Sequence, residues 1–143
     1  MAVTATLYNN AKELLLNADI DCTADTIKVA LCSSSYTPDV DAHDFFDDIT
    51  NEVSASGTYS AGGATLANKV VSQDNTDNEG ILVADNVSFT TATITARYAI
   101  LYKSTGTPGT SALIGYIDFG ENVSSTLGTF TITWAAEGII NLT

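Results

Sequence analysis

Basic residues are scarce. The chain has five, Lys12, Lys28, Lys69, Arg97 and Lys103, against 17 acidic ones, for a net charge of −12. Nucleic acid is bound by clustered cations that neutralise phosphates, so five scattered ones exclude direct contact with DNA or RNA. An anionic membrane surface is disfavoured for the same reason. Long apolar runs are also missing: no stretch reaches the roughly 18 residues of a membrane-spanning helix. The N-terminus lacks the charged region of a secretory signal, and the expectation is a protein made soluble in the cytoplasm. Two cysteines are present, Cys22 and Cys32. They can bridge only if their Cα atoms come within roughly 7 Å, and without export two reduced thiols are expected. Histidine occurs once, at His43, so any Ser-His-Asp or Cys-His machinery would have to use it. There is no P-loop, dinucleotide fingerprint, HExxH or CxxC pair. No catalytic, metal or cofactor-binding residues are assigned.

Apolar residues make up 45% of the chain and charged ones 15%. That is too apolar for intrinsic disorder, and this length buries enough surface for one core. We read residues 1–143 as a single domain. Thr occurs 21 times, with Val, Ile, Tyr and Phe beside it; branching at Cβ suits a pleated strand better than a helix. One helical segment is expected within residues 1–18, where Leu7, Ala11, Leu14, Leu15 and Ala18 share a stripe. Thr6 is its expected N-cap, and Asn17–Asp21 ends it. The Leu7, Leu14 and Leu15 stripe must be covered, either by the protein's own sheet or by a partner. A second short amphipathic turn is expected behind Pro38, with Val40, Asp44, Phe45 and Asp48.

Nearly everything else has period two. Strands are expected at Ile27–Cys32, Leu66–Ser72, Ile81–Ala84, Val87–Thr90, Thr93–Lys103, Leu113–Phe119, Thr129–Trp134 and Gly138–Leu142. Turn chemistry breaks them at Gly57-Thr58, Ala61-Gly62-Gly63, Asp74–Gly80, Thr105–Gly109 and Gly120–Gly128. No helix is expected between successive strands after residue 52, which excludes a parallel α/β sheet. The fold class is therefore mainly β: an antiparallel β-sandwich or barrel, jelly-roll-like, with one short N-terminal helix. Ile94, Ala96, Tyr98 and Ile100 are expected to face inward with Phe130, Ile132 and Trp134.

Three groups of residues invite a chemical reading. His43 and Asp47 would share a helix face four residues apart, a spacing that can hold a metal; the plainer reading is a solvated acidic turn. Asn75-Thr76-Asp77-Asn78-Glu79-Gly80 places oxygens at alternate positions before a glycine, like the first half of a calcium loop. Asn86, however, stands where such a loop needs a bidentate Glu, and a polar turn is expected. Paired carboxylates for glycoside hydrolysis need one acid kept protonated in an apolar cleft, whereas the densest acids, Asp39 through Glu52, sit in polar sequence. Tyr98, Tyr102, Tyr116, Phe119, Phe130 and Trp134 are expected to fill the core, with a subunit interface or a carbohydrate platform as alternatives.

Several segments carry a resemblance that spans nearly the full length. They are Leu7–Leu15, Ile27–Leu31, Tyr36 through Ile49, Tyr59–Gly63, Ala96–Tyr102, Ile114–Gly120 and Trp134–Ile139. In these the chain resembles a family of small structural proteins of tailed-bacteriophage particles. The resemblance implies a non-enzymatic virion component, most readily a head decoration (cement) protein on the major capsid protein lattice. A tail, neck or fibre-associated module, structural or host-glycan-binding, is the alternative. It implies phage structural proteins as partners and a homo-oligomer, with a trimer preferred because decoration proteins often sit on three-fold positions. No catalytic residues carry over.

Overall fold

The structure, a computed structural model, describes residues 4–143. Residues 1–3 of the expected N-terminal segment lie outside the described residues. In chain order the elements are β1 (Thr6–Leu7), α1 (Asn9–Leu16), β2 (Ile27–Cys32), a 3-10 turn (Phe46–Asp48), β3 (Ala64–Thr65), β4 (Val70–Asp74) and β5 (Glu79–Val83). They continue with β6 (Val87–Lys103), a second 3-10 turn (Pro108–Thr110), β7 (Leu113–Ile132) and β8 (Ile140–Leu142). The strands form two antiparallel sheets, one of five strands in the order β1-β7-β6-β2-β3 and one of three in the order β4-β5-β8. This is the mainly-β, two-sheet architecture expected, with one short α-helix near the N-terminus.

The strands differ from expectation most at Gly120–Gly128. Turn chemistry there predicts a break, yet β7 runs through it, paired with β6. Cross-strand hydroxyl pairs hold the ladder, Thr95 with Ser124 at 2.8 Å and Ser88 with Thr131 at 2.9 Å. The irregularities are absorbed as bulges: the register slips between Phe89 and Ala92 and between Ala92 and Ile94, and Thr91 and Leu127 adopt positive φ of 52° and 46°. Bulges bend and twist a strand without ending it. The strand expected at Leu66–Ser72 is shifted to Val70–Asp74, and an unexpected short strand, Ala64–Thr65, pairs with β2.

A further slip between Ala96 and Tyr98 changes which residues face the core. Ile94, Ala96, Ile100, Phe130 and Ile132 are buried as the alternation predicts. Beyond the slip, Ala99, Ile100, Leu101 and Tyr102 are all buried, so side chains on both faces of this half of β6, which is paired with β2 and β7 at its two edges, are shielded from water. Tyr98 is only half-buried, and so is Trp134. Trp134 lies past the end of β7, where its indole N–H donates to the Asp85 carbonyl at 2.8 Å. It is a latch between loops, not a core residue.

At the N-terminus, Thr6 is not a cap. It pairs with Tyr116 in the ladder, and Tyr8 occupies the N-cap position with no side-chain bond. Ala11 is fully buried, while Leu7, Leu14 and Leu15 are half-buried against the protein's own core. The stripe is therefore covered from within. The helix ends in a Schellman closure: Asp19 N–H donates to the Leu14 carbonyl at 2.8 Å and Ala18 N–H to that of Leu15 at 3.3 Å. Ala18 sits at the left-handed position with φ 60°, which glycine tolerates better. Ala18→Gly should stabilise the protein by about 1 kcal/mol, read as a raised urea midpoint at unchanged slope. A lowered midpoint would mean the closure is absent.

Candidate functional site

His43 is fixed by a chain of aromatic hydroxyls. The Tyr8 and Tyr36 hydroxyls lie 2.9 Å apart, and the Tyr36 hydroxyl lies 2.9 Å from His43 Nδ1. The Tyr36 and His43 rings stack at 5.6 Å, and the Asp39 N–H approaches the same nitrogen at 3.3 Å. Tyr8 and Tyr36 are buried. Burial pushes the Tyr36 phenol up to about 12 and the Tyr8 phenol higher still, so both remain protonated hydrogen-bond partners. The helix expected to align His43 with Asp47 is a 3-10 turn over Phe46–Asp48 instead. Asp47 faces Gly109 in the second 3-10 turn. Asp48, not Asp47, organises the segment: its Oδ2 accepts the Asp44 and Phe45 N–H groups at 2.8 and 3.0 Å. These bonds, Phe45 first, hold its carboxyl below the ordinary carboxylate range. Among the described residues no serine or cysteine hydrogen-bonds to His43, whose Nδ1 partner is the buried Tyr36 hydroxyl.

The loop that resembles a calcium site is the tip of the β4–β5 hairpin. Its carboxylates gather, but the third comes from Asp74, not from the Asn75 side: oxygens of Asp74, Asp77 and Glu79 lie within 4.8 Å of one another. Asp74 Oδ1 accepts the Thr76 and Asp77 N–H groups, and Glu79 Oε1 accepts from Asn141. Most of the tip is exposed, as is usual for a solvated hairpin turn.

The expected aromatic residues mostly pack on one another. Tyr98 lies edge-on to Tyr36 at 5.9 Å and to Tyr116 at 6.2 Å, and Phe119 is tilted against Phe130 at 6.3 Å. Tyr102 stacks on Phe46 at 4.1 Å and lines a cleft of ≈390 Å³ with Lys28, Glu52, Gly62 and Ser111. Strand pairing sets Lys28 directly opposite Tyr102. Glu52 Oε1 accepts the Tyr59 hydroxyl at 2.8 Å and the Gly62 N–H at 2.6 Å, and the Tyr102 hydroxyl donates to the Gly62 carbonyl at 2.5 Å. The sequence gives little sign of this network. Glu52, Tyr59 and Gly62 share no periodicity; only the Gly62-Gly63 turn signal points to the place.

The cysteines are unbridged, Cys32 buried and Cys22 half-buried. Burial raises the Cys32 thiol to about 12, which suppresses the reactive thiolate. Among the described residues, no helix is long and apolar enough to cross a membrane. Comparison with known proteins finds no matching family model, curated protein or solved structure.

Proposed function

We propose that this chain is a non-enzymatic structural protein of a tailed-phage particle, a head decoration (cement) protein that binds the major capsid lattice as a homo-oligomer. The observation that carries the reading is how the polar side chains are used. His43, Glu52, Arg97 and Asp118 all hold loops or strands together, and among the described residues none of them hydrogen-bonds to a serine or cysteine side chain. Arg97 and Asp118 form a two-pronged bridge, 2.6 and 3.1 Å, across β6 and β7. The segments behind the resemblance include His43, Arg97 and Asp118, which accords with a fold-defining rather than a catalytic signature. A net charge of −12 also suits an exterior position, away from the packaged genome.

Cryo-EM of intact particles combined with mass spectrometry of their proteins tests the reading. Density for this fold on the head lattice at a copy number fixed by symmetry is the expected result; absence from purified particles would refute it. A tail, neck or fibre-associated glycan-binding role is the second reading. The cleft between Lys28 and Glu52 favours it, because a carboxylate and an ammonium beside an aromatic pair can hold hydroxylated ligands. Binding to a glycan array that is lost in Glu52→Gln would support this second role over the first.

A further inference from the structure

Four of the five basic side chains have protein partners. Arg97 pairs with Asp118 and Lys103 with Asp25, while Lys69 donates to the Asp25 carbonyl and Lys12 to Asn9 Oδ1. Among the described residues the Lys28 ammonium has neither an ion pair nor a hydrogen bond. Lys28 is nevertheless half-buried, lines the ≈390 Å³ cleft, and belongs to a chain with 17 acidic residues. Taking a charge out of water without pairing it costs free energy, so the fold gains nothing from an ammonium at this point.

Glu52 lines the same cleft. The Tyr59 hydroxyl and the Gly62 N–H hold its Oε1, and its backbone bridges to Cys32 at the end of β2. Lys28 is fixed through its strand, opposite Tyr102 on one side and Thr65 on the other. Both charges lie beside Gly62. A Cβ added there would sit 3.5 Å from Lys28 Nζ, and the Gly62 N–H lies 2.6 Å from Glu52 Oε1. Yet the two form no ion pair, and Glu52 Oε2 accepts no protein hydrogen bond among the described residues. The cleft thus holds a positive and a negative group near each other but apart, each with bonding capacity unused. Phe46 and Pro108 add an apolar wall, and the volume suits a small ligand.

We propose that this cleft binds a small zwitterion, an α-amino acid with a short apolar side chain. Its carboxylate accepts from the Lys28 ammonium, its own ammonium donates to Glu52 Oε2, and its side chain lies against Phe46 and Pro108. Two charge-assisted bonds form at once, and each protein charge gains the partner that the fold withholds. Such a ligand is neutral overall, so the chain's net charge of −12 does not repel it as it would an anion. A neutral saccharide would leave both charges without a counter-charge. The site depends neither on the particle nor on glycan binding.

NMR titration of the ¹⁵N-labelled full chain with L-alanine tests this. Saturable shifts of the Gly62 and Gly106 amides are expected, with a dissociation constant of about 1 mM. L-alanine methyl ester, which lacks the carboxylate, and N-acetyl-L-alanine, which lacks the ammonium, should each bind at least about tenfold more weakly. Lys28→Met keeps the length of the side chain and should weaken alanine binding by a similar factor. Its melting temperature should be unchanged or raised, because no protein contact of the ammonium is lost. The proposal fails if no saturable shift occurs by about 20 mM, or if either blocked analogue binds as well as alanine. Galactose shifting the same amides more strongly than alanine would hand the cleft to saccharides. A lowered melting temperature of Lys28→Met would make Lys28 a packing residue and overturn the proposal as well.

Discussion

Gly63→Ala should cost at least about 4 kcal/mol and leave little folded protein at ambient temperature. Gly63 has φ 74°, and a Cβ added there would lie 1.8 Å from the Val29 carbonyl oxygen and 2.8 Å from the Ala30 Cα. Both obstacles are backbone atoms of β2, a buried strand paired with β6 on one side and β3 on the other, so neither can swing away. The next residue, Ala64, already pairs with Val29, and displacing the turn would break that ladder. Gly106→Ala is the natural control. It has φ 86° but nothing within 4 Å of an added Cβ, so only backbone strain of about 1–2 kcal/mol is expected. Urea unfolding of the two variants measures the difference. Equal losses would show that the close approach at Gly63 does not exist.

Tyr59→Phe should cost about 2–3 kcal/mol although it removes a single oxygen. That oxygen accepts the Leu31 N–H at 3.0 Å and donates to Glu52 at 2.8 Å, and Tyr59 is almost wholly buried. Burial holds the phenol far above its ordinary range, so it donates at every pH at which the protein folds. The phenylalanine ring would keep the edge-on packing against Phe89, whose centroid lies 4.8 Å away. The loss therefore isolates the hydrogen bonds. Pairing Tyr59→Phe with Glu52→Gln in a double-mutant cycle should give a combined loss smaller than the sum, because the two groups share one bond. Strict additivity would place Glu52 elsewhere.

Much of the strand content is legible in the sequence, because period-two alternation reports burial directly. Ile27, Val29 and Leu31, or Phe130 and Ile132, can occupy the core only by pointing one way. The alternation fails beyond Ala96, where Ala99, Ile100, Leu101 and Tyr102 are all buried, and the register slip there falls opposite residues 119–122, a stretch that reads as a turn. Gly120–Gly128 misleads for a related reason: glycine marks turns, but it equally permits a long ladder to bend. Thr6 shows the competing pull of a partner strand more than a hundred residues away. The candidate sites are less legible still. Asp47 was the obvious partner for His43 by spacing, whereas the fold gives that histidine to Tyr36. A groove beside α1 is assembled from the helix end, the loop after it and strands β4, β5 and β8. No local pattern joins them.

The pairing of β1 with β7 sets a schedule for synthesis. Thr6 lies opposite Tyr116, and Ala5 N–H donates to the Ile139 carbonyl at 2.8 Å, so the first strand is completed by nearly the last. At about 5–20 residues per second, a ribosome leaves β1 without its partner for roughly 5–20 s. During that interval the apolar side of α1 faces the cell interior with no sheet to lie on. Its brevity, at eight residues, limits the stickiness of the nascent chain, since a helix that short hardly forms until the sheet is there to receive it.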